Sequence, residues 1–224
     1  MNKTYSLHPM IKKTLTILTL LLVLPMLVAA QGTPVRHITR IEILDEIQRA
    51  NSSATALVSR LRQERYAPLL KKHTTTEADF QYAPGMMSIH YDAPVGDCFV
   101  INGEQVMVTS KGKRRVMDGN EGIAKMLRVM LMAAMTGDYA EAMHYAKEQP
   151  NLTQTTDSYI VEVKLDGRKS ISPLSRVEAT YDKATKRIRT ITMHQALGGY
   201  TSYTLGHIVP NPALDKSLFV IADD

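Results

Sequence analysis

The stretch from Phe80 to Val108, FQYAPGMMSIHYDAPVGDCFVINGEQVMV, constrains the fold more than any other part of the chain. It reads as short strands separated by turns and closed by a hairpin. In its middle strand Met87, Ile89 and Tyr91 alternate with Met86, Ser88 and His90, and a period of two gives each set its own face. Pro84-Gly85 opens that strand and Ala93-Pro94 closes it, as turn residues do. Cys98 to Ile101 and Glu104 to Val108 flank Asn102-Gly103. Asn-Gly between apolar runs predicts a two-residue hairpin loop, because both central residues of a type I′ turn need positive φ. That loop pairs Ile101 with Glu104 and Phe99 with Val106, so Phe99, Ile101, Val106 and Val108 share a face. The other face carries Cys98, Val100 and Met107 and is apolar as well. A sheet apolar on both sides has to be covered on both sides, or has to line a cavity.

The first thirty residues read as a cleaved secretory signal. Lys3, Lys12 and Lys13 make a positive start, Thr14 to Val28 is apolar, and Val28-Ala29-Ala30 offers a small-residue cleavage site before Gln31. The apolar run is short for a membrane span and Pro25 interrupts it, which disfavours the alternative of an uncleaved anchor. No Cys follows the run, so the pattern is not that of a lipoprotein precursor. An exported, soluble protein is expected, with residues 31–224 as one domain. The chain holds 27 Lys and Arg against 22 Asp and Glu; the leader takes three lysines and no acid, leaving 24 against 22, or +2. That balance supports no nucleic-acid role, and three Phe with no Trp provide little for base stacking. Cys98 is the one cysteine, so no internal disulfide is possible, and its apolar strand predicts a buried thiol.

Along the chain, Ile41, Leu44 and Ile47 recur on one side of a short amphipathic helix that ends near Asn51-Ser52-Ser53. Ala54 to Leu70 fits a helix through Leu57, Val58 and Leu61, or a strand through Leu57, Ser59, Leu61 and Gln63. His73 to Tyr82 alternates cleanly, with Thr76, Ala78, Phe80 and Tyr82 on the inner face. Ser110 to Arg115, SKGKRR, reads as a basic loop, either a solvated turn or a docking patch for an acidic partner. The period then changes. Asn120 is a candidate N-cap, and Ile123, Met126, Leu127, Met130, Leu131 and Ala134 recur at three and four until Gly137. Asp138 with Glu141 resembles a capping box for a second helix reaching Gln149, with Tyr139, Ala142, Met143 and Ala146 inward. Five methionines fall in this pair, at 126, 130, 132, 135 and 143. They make either a core seam or an adaptable surface for ligands of variable shape. Period two returns in Tyr159 to Leu165, Arg176 to Tyr181, Arg187 to His194 and Tyr200 to Val209, and Ser217 to Ile221 reads as a final short strand. The outline is mainly β, about nine to eleven antiparallel strands with a mid-chain helical insertion.

Chemistry is not evident. His37, His73, His90, His144, His194 and His207 lack metal-ligand spacing with a second His, Cys or carboxylate. His90 and Asp92 share a strand face, which by itself describes a surface pair. There is no G-x-S-x-G, no phosphate-cradling glycine loop and no H-E-x-x-H. The sequence reads as a binder, with no cofactor and no metal, rather than an enzyme such as a lipid hydrolase.

Three features together resemble the LolA-type periplasmic carriers of outer-membrane lipoproteins. They are the run from Pro84 through Pro94 to Gly103; the pattern Val177 to His194, Gly199 to Pro212 and Leu218-Phe219; and the leader without a lipobox. The resemblance covers about Ile38 to Ile221. It implies an unclosed antiparallel half-barrel with a helical lid over its concave face and acyl chains held between them. It also favours a strand for Ala54 to Tyr66. Met87, Ile89, Tyr91 and Phe99 fall where that family lines its cavity. Phe80, Tyr82, Ile101 and Val106 on the same strands, and Met126, Leu127, Met130, Leu131, Met135 and Met143 on the lid, complete the expected lining. Implied partners are acylated lipoproteins or lipids, an inner-membrane release complex and an outer-membrane receptor, met by a periplasmic monomer. Two departures stand out: Ala83 occupies the place of an Arg important for the lid, and Met87 and Ile89 replace aromatics. A half-barrel sensor that recognises a lipoprotein or protein partner without transport is the alternative.

Overall fold

The structure is a computed structural model that describes residues 33–34, 37–167 and 174–222; the leader read over residues 1–30 lies outside the described residues. The first half holds β1 (Thr33–Pro34), α1 (His37–Ser52), β2 (Leu57–Ala67), β3 (Lys72–Ala83) and β4 (Met86–Tyr91). It continues through β5 (Cys98–Asn102), β6 (Gln105–Ser110), β7 (Lys113–Asp118) and α2 (Gly122–Thr136). The second half is β8 (Asn151–Gln154), β9 (Ser158–Lys164), β10 (Leu174–Asp182), β11 (Ile188–Gln195), β12 (Tyr200–Leu205) and β13 (Val209–Pro210).

These strands form one antiparallel sheet in the order β1-β8-β9-β10-β11-β12-β2-β3-β4-β5-β6-β7, with β13 pairing β2 off the path. The two ends, β1 and β7, do not meet, so the sheet is an open half-barrel. Thirteen strands exceed the nine to eleven expected, because β1, β8 and β13 are too short to leave a period in the sequence. One non-local step, β12 against β2 with Tyr200 opposite Tyr66 and Leu205 opposite Leu61, joins the two runs of hairpins. It also settles the segment that periodicity left open. With ladder partners on both sides, β2 extends, burying Leu57, Ser59 and Leu61 and exposing Arg60 and Arg62.

Both helices cover the concave face. α1 buries Ile43 and Ile47, whereas Ile41, expected inward, is exposed because the helix rolls onto the i, i+4 pair. Its C-terminal end is fixed by Asn51, whose buried amide donates to the carbonyls of Ile47 (2.7 Å) and Lys186 (2.8 Å). α2 stops where expected. Gly137 takes a left-handed φ of 75° and donates its N–H to the carbonyl of Ala133. A Cβ at Gly137 would lie 2.7 Å from Ile47 Cγ2, so this glycine also lets the two helices approach. The cap at the other end is Glu121, not Asn120, and it makes no side-chain bond.

Four further expectations are corrected. The hairpin loop is Gly103-Glu104, with Asn102 opposite Gln105 and Ile101 opposite Val106. Only Gly103 has positive φ, which suits a type II′ rather than a type I′ turn. The register moves by two residues, so Phe99, Ile101, Val106 and Val108 still share a face. Ser110 to Arg115 is not a loop but the end of β6, a Lys111-Gly112 turn and the start of β7. No α-helix follows Asp138; only a 3-10 turn, Ala142–His144, forms there. Asp138 bonds the N–H of Ala140 instead, and the chain is drawn straight on by the bridge of Ala146 to Leu165 and the bond from Lys147 N to Lys164 O. Finally, Lys216–Phe219 is a 3-10 turn, not a strand.

That turn covers the convex side. Cys98, Val100 and Met107 form a small buried cluster capped by Ile221. His90 Nε2 lies 3.0 Å from the carbonyl of Leu218, Asn102 donates to that of Phe219 at 3.0 Å, and Arg114 donates to that of Ala222. The two apolar faces of β4–β6 are thus both covered, one by helices and one by the segment after Asp215.

Candidate functional site

The site is the seam between α2 and the concave face. α2 buries Met126, Val129, Met130, Leu131, Ala133, Ala134 and Met135, nearly its whole inner half. Facing it, the inward residues of β2–β6 stack across the ladder as Leu61, Ala78, Phe80, Tyr82, Met87, Ile89, Ile101 and Val106. All fourteen residues expected to line a cavity gather in this one cluster. Ten are buried, and Tyr91, Phe99, Leu127 and Met143 pack against them half-buried. The C-terminal half contributes Ile191, Tyr203 and Leu205, which the sequence reading did not single out. Their signal was the period of two in Tyr200 to Leu205, visible but not tied to the cavity.

The seam is closed. Between Leu61, Phe80, Met87, Ile89, Leu131, Met135, Ile191, Tyr203 and Leu205 there is a void of about 10 Å³, entirely apolar. That is room for one water at most, and an apolar void of this kind stays dry.

Tyrosines mark its polar fixings. Tyr181 donates to the carbonyl of Ala134 at 2.7 Å, and the Tyr139 and Tyr181 hydroxyls are 2.7 Å apart. These bonds tie the C-terminal end of α2 to β10 and the segment after it. Burial pushes both phenols above their ordinary range, so both stay neutral. At the N-terminal end of α2 the corresponding fixing is one bond, Arg128 Nε to the carbonyl of Gly119 at 3.0 Å. The helix is therefore secured unequally at its two ends.

The concave face continues beyond α2 into an open trough of about 260 Å³, where Tyr91, Phe99, Val108 and Tyr203 meet Gln63 and Arg65. Tyr91 donates to Gln63 at 2.6 Å. Its phenol is raised, first by burial and then by the neighbouring Tyr203. Tyr203 lines both this trough and the closed void. A second space, of about 400 Å³, opens on the other side of Leu205.

Outside the seam the candidate polar groups are committed elsewhere. Asp92 does not face His90 but pairs with Arg60 at 2.5 Å, which also holds Asp79 at 2.6 Å on the convex side. Cys98 is buried and free. Among the described residues no cluster of three His, Cys, Asp or Glu could hold a metal ion, and no helix is long and apolar enough to cross a membrane.

No known family model matches the sequence, and no curated protein matches it. Solved structures of similar fold include an uncharacterised conserved protein from Thermus thermophilus, at 11% identity and a TM-score of 0.49 over 83% of this chain and 96% of that one. A LolA superfamily protein from Nitrosomonas europaea is similar at 8% identity and a TM-score of 0.44, over 86% of this chain and 99% of that one. MucB in its complex with MucA from Pseudomonas aeruginosa is similar at 9% identity and 0.41, over 81% of this chain and 60% of that one. At these identities the likeness is one of fold.

Proposed function

We propose that residues 31–224 form a single lipid-binding domain, exported to the periplasm, that carries acyl chains of lipoproteins or a related lipid toward the outer membrane. The observation that carries this reading is the closed seam: an apolar helix face lies on an apolar sheet face with about 10 Å³ between them. An acyl chain enters such a site only by displacing the helix. Exposing Met126, Val129, Met130, Leu131 and Met135, each at most 3% exposed, costs about 7–15 kcal/mol at about 1.5–3 kcal/mol per side chain. An acyl chain of about sixteen carbons returns roughly 12 kcal/mol at ~0.8 kcal/mol per CH₂. The two are comparable, so helix and cargo compete for one surface, and binding is tight without being irreversible. The unequal fixing of α2 lets its Glu121 end swing while the Gly137 end stays tied. The domain alternates between closed and loaded states, and each partner biases that equilibrium. This reading calls for an inner-membrane complex that loads the domain and an outer-membrane receptor that unloads it.

The closed seam also suits a second reading, in which the half-barrel recognises a lipoprotein or protein partner without ferrying it. Purifying residues 31–224 without detergent, then applying native mass spectrometry and lipid extraction, separates the two. Near-stoichiometric lipid, or uptake of an added diacylated peptide followed by its transfer to acceptor vesicles, is the expected result. An apo mass that takes up no acylated peptide removes the carrier and leaves the sensor.

A further inference from the structure

The space of about 400 Å³ beyond Leu205 belongs to none of the features used so far. It lies between the start of β11 and the segment leading into β13, lined by Arg187, Ile188, Arg189, Leu205, His207 and Ile208 among others. Its walls divide by chemistry. Ile188 and Leu205 belong to the buried core and Ile208 packs against it, so one side is hydrocarbon. The opposite side carries cations of very different standing. Arg189 is neutralised by Asp182 at 2.6 Å and Asp157 at 3.0 Å. Arg187 is not: its Nη1 is buried and has no hydrogen-bond partner. The acid at the pocket wall, Asp182, is already taken by Arg189 and by the N–H and hydroxyl of Thr185.

A buried guanidinium nitrogen with no acceptor is costly, and guanidinium geometry matches carboxylate and phosphate oxygens. The orphan exists because the β10–β11 ladder slips between Thr180 and Tyr181, so Arg187 has no cross-strand acid opposite it. Leu205 lines both this pocket and the closed void of the seam. An apolar tail can therefore run from one to the other past a single side chain.

From this geometry we infer that the pocket is the head-group subsite for an anionic amphiphile, with Arg187 binding a carboxylate or phosphate oxygen and the chain passing Leu205 toward the seam. The inference rests on the carrier reading and names its ligand class as acidic. The same oxygens could come from a free anion, and the test separates these sources.

Binding of palmitate, of the uncharged palmityl alcohol and of inorganic phosphate is measured by titration calorimetry on residues 31–224 and on its Arg187→Gln variant. The wild type is expected to prefer palmitate to the alcohol at least tenfold, and Arg187→Gln to remove that preference while leaving alcohol binding unchanged. Removing an unpartnered buried donor should leave the melting temperature equal or higher, which distinguishes lost recognition from lost folding. Equal affinity for acid and alcohol in the wild type overturns the subsite but leaves the carrier intact. Phosphate binding that competes with palmitate and needs Arg187, without any binding of the alcohol, shows a free-anion site and overturns the amphiphile. If neither palmitate nor a diacylated peptide binds, the carrier reading itself fails.

Discussion

Leu131→Ala separates a helix that is merely core from one that leaves its place. Leu131 is 3% exposed and lines the closed void of about 10 Å³. Truncating it enlarges that void, and the closed state loses about 3 kcal/mol through lost transfer energy and an unfilled cavity. In a domain of this size that lowers the melting temperature by roughly 6–12 °C. Both views of the seam share this result. They differ on ligand. If uptake requires α2 to leave the sheet, the substitution destabilises the closed state but not the loaded one, and 1.4 kcal/mol is worth about tenfold in affinity. The expected gain is about 10- to 100-fold in affinity for a diacylated peptide, the lower figure applying if Leu131 also touches cargo. Fluorescence titration with a labelled diacylated peptide, beside a thermal melt, reads both quantities on one sample. A lower melting temperature with unchanged or weaker affinity would show that α2 stays put, and the competition between helix and cargo would be wrong.

Further perturbations test the supports of the seam. Gly137→Ala meets a left-handed φ of 75° and a Cβ contact of 2.7 Å to Ile47 Cγ2; a loss of about 2–4 kcal/mol is expected in urea unfolding, and less than about 0.5 kcal/mol would contradict the close approach of the helices. Asn51→Ala removes the bonds to Ile47 and Lys186 and should cost about 2–3 kcal/mol, with faster amide exchange at Ile188 as its local signature. The Tyr139 and Tyr181 phenols have folded pKa values raised above the ordinary value of 10.0. Raised values mean that folding favours the neutral form, so their stabilisation is complete below pH ~10 and is lost as pH climbs beyond it. Replacing both with Phe should flatten that alkaline decline in melting temperature, and an unchanged decline would place its origin elsewhere.

What the sequence made legible, and what it hid, follows one division. Where a side chain's environment is set by its own strand, the period told the truth: Met87, Ile89 and Tyr91 face the seam, and Tyr159, Val161 and Val163 are buried as a set. α2 was equally legible, since its apolar repeat and Gly137 are both local signals. The misreadings lie where a distant partner overrides a local preference. Asp138 and Glu141 spell a capping box, but Ala146 and Lys147 are claimed by β9, and a helix would pull them away. Asn102 spells a type I′ turn, but its amide is used by the carbonyl of Phe219, more than a hundred residues on. Leu218 and Phe219 read as a strand because they are apolar; their carbonyls instead serve His90 and Asn102. The candidate lining was found because alternation and helical period both pointed at one volume. That the volume is closed depends on how α2 docks, and no local pattern encodes that. The orphaned Arg187 was beyond reach for a similar reason, since it arises from a ladder slip.

An unclosed sheet has two ends, and each is a template on which another strand could grow. Here each end discourages growth differently. β1 is two residues long and finishes in Pro34, too short to seed a ladder and missing one donor. β7 is six residues long and has the length to do so, but its exposed Lys113 and Arg115 would sit among the like charges of an identical edge brought alongside. The basic run in SKGKRR thus acquires a role that needs no partner: it insulates a strand that cargo binding keeps from being sealed into a barrel. A half-barrel that opens for lipid has to carry such insulation, because the freedom that admits a ligand would otherwise admit a second copy of itself.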